Sequence, residues 1–159
     1  MTDFKEIYET YAPKVFRVCM GYINDQDEAK DLTQKTFISV WENLPSFRHQ
    51  AQLSTWIFRI ATNNCLRALE KTKRRHTTEL PFQLAELEEE PQEEKLHFLY
   101  SCIAQLPETE RIIVSLVLED VPQAEIAVIV GLSSGNVRVK IHRIKEKLAL
   151  KFKAHGQFE

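Results

Sequence analysis

Between Ser133 and Lys153 the chain places seven Lys or Arg, at positions 138, 140, 143, 145, 147, 151 and 153, against the single acid Glu146. Cations at this density on one short segment are suited to phosphate, and Asn or Arg among them can also reach base edges. The elements that must position them are legible around them, in Pro122 to Leu148, PQAEIAVIVGLSSGNVRVKIHRIKEKL. Ile126, Ala127 and Val130 give a first helix one apolar face. Gly131 is the residue expected where a helix ends in a left-handed turn, since it has no Cβ to clash. Ser133 or Ser134 can cap the next helix, whose Val137, Ile141, Ile144 and Leu148 recur at spacings of four, three and four, a buried stripe. Small Ala127 lets the two helices approach, and Val137 packs beneath the turn. This is the pattern of a DNA-binding helix-turn-helix, whose second helix enters the major groove. On it Asn136, Arg138, Val139, His142 and Arg143 are expected in the groove, with Lys145 to Lys153 on phosphates or in solvent. The plain alternative is a helical hairpin with a solvated basic face, on which His142 is an ordinary surface histidine.

A second set of candidate residues lies upstream. A helix from about Ser54 carries an outward polar row, Arg59, Thr62, Asn63 and Arg67, close to Trp56, and the loop before it supplies Phe47, Arg48, His49 and Gln50. Aromatic rings beside Arg and Asn are what proteins use to hold unstacked bases and their phosphates. The alternative here is that Trp56 and Phe47 are core. A third set, Asp27, Glu28, Asp31, Gln34 and Lys35, forms a mixed charged row that is either solvated surface or a docking face.

Composition narrows the classes. Net charge is −2, but residues 1–75 carry twelve basic and nine acidic side chains, residues 76–95 one and seven, and residues 96–159 eight and seven. An acidic segment therefore separates two mildly basic portions. Cys19, Cys65 and Cys102 are odd in number and widely spaced, with no metal-ligand pattern, and read as core thiols of a reducing compartment. No segment approaches the roughly 20 apolar residues of a membrane span, and the N-terminus has no apolar signal region; a soluble protein of the cytoplasm is expected. There is no Gly-rich phosphate loop, no nucleophile with a plausible His partner and no paired-carboxylate signal, so no catalytic site, cofactor, metal or small-molecule substrate is expected. The glutamates at 86–90 suit a solvated linker rather than a metal site.

Four glycines and the lack of strand-like alternation give an all-α fold. Its first helix runs from Phe4 to Tyr22, with Pro13 expected to bend or interrupt it. Asn24-Asp25-Gln26-Asp27 forms a break and cap. A second helix turns Ala29, Leu32, Thr33, Thr36, Phe37 and Val40 inward and ends near Asn43. The third carries Trp56, Ile57, Ile60, Ala61, Cys65, Leu66 and Leu69. Residues 1–75 thus make a three-helix domain, 76–92 (two prolines and a run of glutamates) an acidic linker, and 93–159 a four-helix domain with the helix-turn-helix at its end.

With these elements in place, the residues resemble a family. Asp31-Leu32-Thr33-Gln34-Lys35-Thr36-Phe37, Leu44-Pro45-Ser46-Phe47 and Trp56-Ile57-Phe58-Arg59-Ile60-Ala61-Thr62-Asn63 are similar to the D-L-x-Q-x-x-F, L-x-x-F and W-L-x-x-I-A-x-N segments of bacterial sigma factors, specifically the short extracytoplasmic-function group of the sigma-70 family. Leu106-Pro107, Arg111, Glu125-Ile126-Ala127 and Gly135-Asn136-Val137-Arg138 are similar to that group's C-terminal domain. The resemblance covers nearly the whole chain in the right order. It implies a factor that binds core RNA polymerase and directs it to promoters. Asp31, Gln34 and Phe37 would dock on the polymerase. Phe47, Arg48, Trp56, Arg59, Asn63 and Arg67 would recognise and melt the −10 element and trap a flipped base. Ser134, Asn136, Arg138, Val139, Lys140, His142 and Arg143 would read the −35 element as duplex, and the linker would run through the polymerase toward the RNA exit channel. An anti-sigma factor, possibly membrane-linked, is the further partner implied. Asn136 stands where Thr is usual and Val139 where a small polar residue is common, so the −35 sequence itself is open, and Val139 is suited to a thymine methyl. The competing function is a stand-alone dimeric helix-turn-helix regulator with the N-terminal bundle as sensor.

Overall fold

A computed structural model describes residues 3–74 and 91–155. Its elements are α1 (Phe4–Ile23), α2 (Gln26–Asn43), a single 3-10 turn (Leu44–Ser46), α3 (Leu53–Arg74), α4 (Pro91–Ala104), α5 (Glu108–Leu118), α6 (Gln123–Val130) and α7 (Ser134–His155). The fold is all-α, and no described residue lies in a strand. The linker expected over 76–92 lies outside the described residues except for its last two positions, which open α4; proline is tolerated there because the first helical amide needs no partner.

Helices α1, α2 and α3 close one bundle, and α4 to α7 form the second unit. In the first, Asp3 caps α1 and Asp25 caps α2, accepting from the amide of Glu28 at 2.9 Å. Asn24, left-handed at φ 56°, ends α1. All six residues expected to face inward from α2 are buried. Two of them are threonines, and burial costs little because each hydroxyl donates back to a helix carbonyl, Thr33 to Ala29 and Thr36 to Leu32, at 2.7 and 2.8 Å. Asn64 of α3 then donates to the Thr36 hydroxyl at 3.2 Å and fixes the register of α3 on α2.

Helix α1 runs unbroken through Pro13, against the expected interruption. Pro13 and Glu9 are both exposed, so the carbonyl that proline leaves without a donor can be hydrated. Leu66, among the apolar residues of α3, is 38% exposed. Cys19 and Cys65 meet in the bundle core with sulfurs 3.6 Å apart. Their contact, together with burial, pushes the Cys65 thiol well up, and burial raises that of Cys102. All three are free, buried thiols.

The two units pack on each other, α1 against α4 and α5 and α3 against α6. Arg17 donates Nε and Nη2 to the two carboxylate oxygens of Glu119, both at 2.8 Å, and Glu119 is 8% exposed there. Arg111 donates to the carbonyl of Tyr22 and lies over its ring at 5.0 Å. Gly21 meets Ser115 so closely that an added Cβ would stand 2.1 Å from its hydroxyl oxygen.

Candidate nucleic-acid interface

The turn between α6 and α7 forms as its residues dictate. Gly131 is left-handed at φ 76° and ψ 31°, its amide bonding to the carbonyl of Ala127. Of the two serines Ser133 is the cap, accepting from the amide of Asn136 at 3.1 Å. Helix α6 has no side-chain cap, since Pro122 stands at that position. Gln123 instead ties its start to that of α7, donating to the carbonyl and hydroxyl of Ser134, both at 3.2 Å. Val137 and Ile144 are fully buried, with Ile141 and Leu148 half-buried beside them.

Those four residues fix which way the rest of α7 faces. At about 100° per residue, Gly135, Val139 and Glu146 lie within roughly 30° of the direction opposite the stripe, and His142 and Arg143 within roughly 50°. Arg138 and Lys145 stand nearly at right angles to it on one flank, and Asn136, Lys140 and Lys147 on the other. Val139 is 45% exposed at the centre of this face. His142 contacts Glu146 one turn on at 3.1 Å. Lys147 is committed to Glu110 of α5 at 2.9 Å, and Lys151 to Gln105. The seven residues expected here thus share one helix, but they divide into a centre (Val139, His142, Arg143) and flanks (Ser134, Asn136, Arg138, Lys140), with Lys140 half-buried.

On α3 the buried residues Ile57, Phe58, Ala61 and Cys65 define the inner side. Asn63 is opposite them, with Trp56 and Arg67 on the same stripe at offsets of seven and four. At its start Phe47 stacks on Trp56, ring centres 4.8 Å apart and planes at 28°, and His49 lies 4.5 Å from Phe47. His49 is left-handed at φ 58°, a conformation a non-glycine residue adopts at a cost of roughly 1 kcal/mol or more. Phe47 and Trp56 are half-buried, between the two alternatives the sequence left open. Arg48, Arg59, Asn63 and Arg67 are exposed. Thr62, expected in the outward row, is 2% exposed. It shares a flank of α3 with Thr55 and Arg59, the flank that faces α6. Thr55 donates to Glu125 at 2.6 Å, and Arg59 donates to the carbonyl of Val128 at 3.2 Å.

On α2, Asp31 and Gln34 are exposed, with Asp31 paired to Lys35 at 3.2 Å. Phe37 is 3% exposed and sits beneath this face, its ring edge-on to Tyr8 at 5.1 Å. It occupies one of the inward-turning positions of α2, beneath the surface on which Asp31 and Gln34 lie. Sequence reasoning missed the exposed apolar group beside it, Tyr8, Ile38 and Trp41, 44, 58 and 62% exposed, with Phe4 edge-on to Trp41 at 5.1 Å. The available signal was Ile38 and Trp41 at a spacing of three on the polar side of α2.

Two matched regions decide the family: sigma-70 region 2 over residues 7–75 and sigma-70 region 4 over residues 99–148. The chain belongs to the extracytoplasmic-function group of the sigma-70 family. The extracytoplasmic-function RNA polymerase sigma factor SigW of Bacillus subtilis (strain 168) is 27% identical over 161 residues, covering 91% of this chain and 86% of its own. SigE of Mycolicibacterium smegmatis is 28% identical over 157 residues, with 93 and 61% covered. Among solved structures, the sigma factor RpoE in complex with the anti-sigma factor NepR from Bartonella quintana has the same fold, with a TM-score of 0.81 at 20% identity over 96% of this chain and 98% of that one. CnrH in complex with the cytosolic domain of CnrY gives a TM-score of 0.74 at 22% identity, over 95 and 88%. The family consists of transcription initiation factors, and this chain is an RNA polymerase sigma factor; the dimeric regulator is set aside. Among the described residues no helix is long and apolar enough to cross a membrane.

Proposed function

We propose that region 2 of this factor opens the −10 element with the Phe47–Trp56 stack and the Asn63–Arg67 stripe of α3, while α7 reads the −35 element as duplex. The observation that carries this division is that one chain presents two exposed faces of different chemistry, a basic helix side and a half-buried ring stack. The face on α7 is a basic helix side of the width a major groove admits, with an apolar residue at its centre and cations on its flanks. The face on α3 is a ring stack continued by an amide and a guanidinium, which suits a base taken out of the duplex. The half-buried stack can give a displaced base a partner without first rearranging the core.

Asp31 and Gln34, with Tyr8, Ile38 and Trp41 around them, form the surface by which we expect the factor to hold core RNA polymerase. Charged residues at a rim around exposed aromatics are the usual make-up of a protein-docking patch. Residues 76–90 connect the two faces as an acidic linker. An anti-sigma factor is the regulatory partner we infer, since the structurally similar RpoE is held in complex with the anti-sigma factor NepR, and the factor acts in the cytoplasm, where polymerase and promoter meet.

Purified chain mixed with bacterial core RNA polymerase should co-elute one to one and start transcription at a defined set of promoters. Specific duplex binding by the chain alone, with no association with polymerase, would end this reading.

A further inference from the structure

Three residues other than glycine are left-handed among those described: Asn24, His49 and Asp120. Asn24 ends α1, and Asp120 closes the last turn of α5, its amide bonding to the carbonyl of Val117 at 3.0 Å. A left-handed residue is usual at a helix end, and Asn and Asp tolerate it because their short side chains bond locally. His49 ends no helix, since the 3-10 turn before it stops at Ser46. Its left-handed bend instead carries the imidazole back onto Phe47, two residues earlier, with ring centres 4.5 Å apart.

The three rings form a ladder. Trp56 is fixed in the first turn of α3, Phe47 stacks on it at 4.8 Å, and His49 follows on Phe47. Exposure rises outward along this series, from half-buried Trp56 and Phe47 to exposed His49. Among the described residues no hydrogen bond or ion pair ties the imidazole. A ring held by stacking alone, at the wet end of a ladder rooted in the core, offers its outer side to one more planar ring. Aromatic platforms of this kind stack unpaired bases, and the exposed Arg48 beside it supplies a cation for phosphate.

We propose that His49 is a base-contacting residue of the −10 site: the outer rung of the ladder, on which an unpaired base of the melted strand stacks. The proposal rests on the assignment of α3 and its loop to the −10 element, and adds to it a residue outside the Phe47–Trp56 stack and the Asn63–Arg67 stripe. It also gives the left-handed backbone a use, since strain of this kind persists at sites where it positions a group for a ligand. In the free chain that strain is set only against a tilted contact with Phe47, planes at 53°. A base on the outer side adds the second half of a sandwich. Loss of the ring should therefore weaken the grip on the open strand and spare the fold, the reverse of what a packing role would give.

Two substitutions in the full-length chain separate the ring from the backbone. His49→Asn accepts the left-handed conformation and removes the ring, whereas His49→Phe keeps a ring and leaves the backbone demand in place. Each chain is assembled with core RNA polymerase and titrated with a fluorescent single-stranded oligonucleotide carrying the non-template −10 segment of a promoter that the assembly uses. Each free chain is also melted, followed by circular dichroism. His49→Asn should bind the strand about fivefold more weakly or worse, the loss expected for one stacked base, and melt no lower than wild type. His49→Phe should bind within about twofold of wild type, because stacking tolerates any aromatic face. A His49→Asn chain that binds as tightly as wild type overturns the proposal. So does a loss of binding matched by a lower melting temperature, which would make His49 a packing residue, or a His49→Phe chain as weak as His49→Asn. Trp56→Ala, measured alongside, keeps the proposal apart from the assignment beneath it. If Trp56→Ala weakens strand binding and His49→Asn does not, only the role of His49 fails. If neither weakens it, α3 and its loop are not the −10 site, and both fall.

Discussion

Val139 is the residue of α7 whose position makes the sharpest demand on promoter sequence. It stands at the centre of the outward face, where a duplex would present its groove floor, and a valine there can gain free energy only from an apolar partner such as the 5-methyl of thymine. Val139→Ala removes two methyl groups, each worth about 0.8 kcal/mol if fully transferred from water. With 45% of the residue exposed in the free chain, only about half of that gain is still available, which sets the expected loss at roughly 0.7 kcal/mol. That is a three- to fourfold fall in affinity, about what RT of 0.59 kcal/mol gives. The assay is equilibrium binding of the assembled polymerase to promoters in which each −35 thymine in turn is replaced by deoxyuridine, which lacks only the methyl group. Wild type should lose about that factor at one position, and Val139→Ala should be indifferent to the same change. A variant that keeps the full preference for thymine, or a wild type that shows none anywhere, would refute the placement of Val139 on the groove floor.

Three further outcomes follow from the same geometry. Arg143→Ala should cost about 1–3 kcal/mol on the cognate −35 sequence and much less elsewhere, whereas Arg138→Ala, on the flank, should weaken all sequences alike and make the slope of log affinity against log salt shallower by about 0.9; the reverse pattern in a salt series would exchange their roles. Asn63→Ala should leave polymerase binding intact and slow promoter opening in a fluorescence assay of strand separation, and opening at the wild-type rate would remove Asn63 from the flipped-base site. The Cys65 thiol, held above its ordinary range by Cys19 and by burial, should resist iodoacetamide at neutral pH until the chain unfolds, so rapid labelling of the native protein would contradict the packing of α1 on α3.

What the sequence disclosed was local. The left-handed Gly131, the serine cap and the apolar stripe of α7 each depend on residues within one or two helical turns, and the inward row of α2 likewise follows from a single period. The misjudged residues were those whose environment is set from far along the chain. Thr62 looks like a member of an outward polar row until α6 covers its flank. Arg17 and Glu119 are 102 residues apart, and nothing near either one announces the other. Pro13 misled in the other direction: a helix breaker by local rules is tolerated because its unpaired carbonyl can be hydrated. Trp56 and Phe47 were ambiguous for a physical reason, since their stack is half-buried, packed on one side and open on the other.

The charge arithmetic of α7 explains why such a factor works through polymerase rather than alone. With Lys147 held by Glu110 and Lys151 by Gln105, α7 offers phosphates Arg138, Lys140, Lys145 and Lys153, and four phosphate contacts would give a salt slope of only about −3.6. The whole chain carries a net charge of −2, so no broad positive field adds to it. Region 4 by itself is therefore a weak binder at physiological salt. Tethering changes the sum. Once region 2 is held by polymerase, α7 meets the −35 element at an effective concentration set by the linker, on the order of millimolar for a short flexible tether. A modest groove-reading face then suffices. A more basic α7 would bind duplex indiscriminately in the free state, whereas a modestly charged one depends on its partner for affinity and, on the proposed reading, leaves Val139 and Arg143 for choice of sequence.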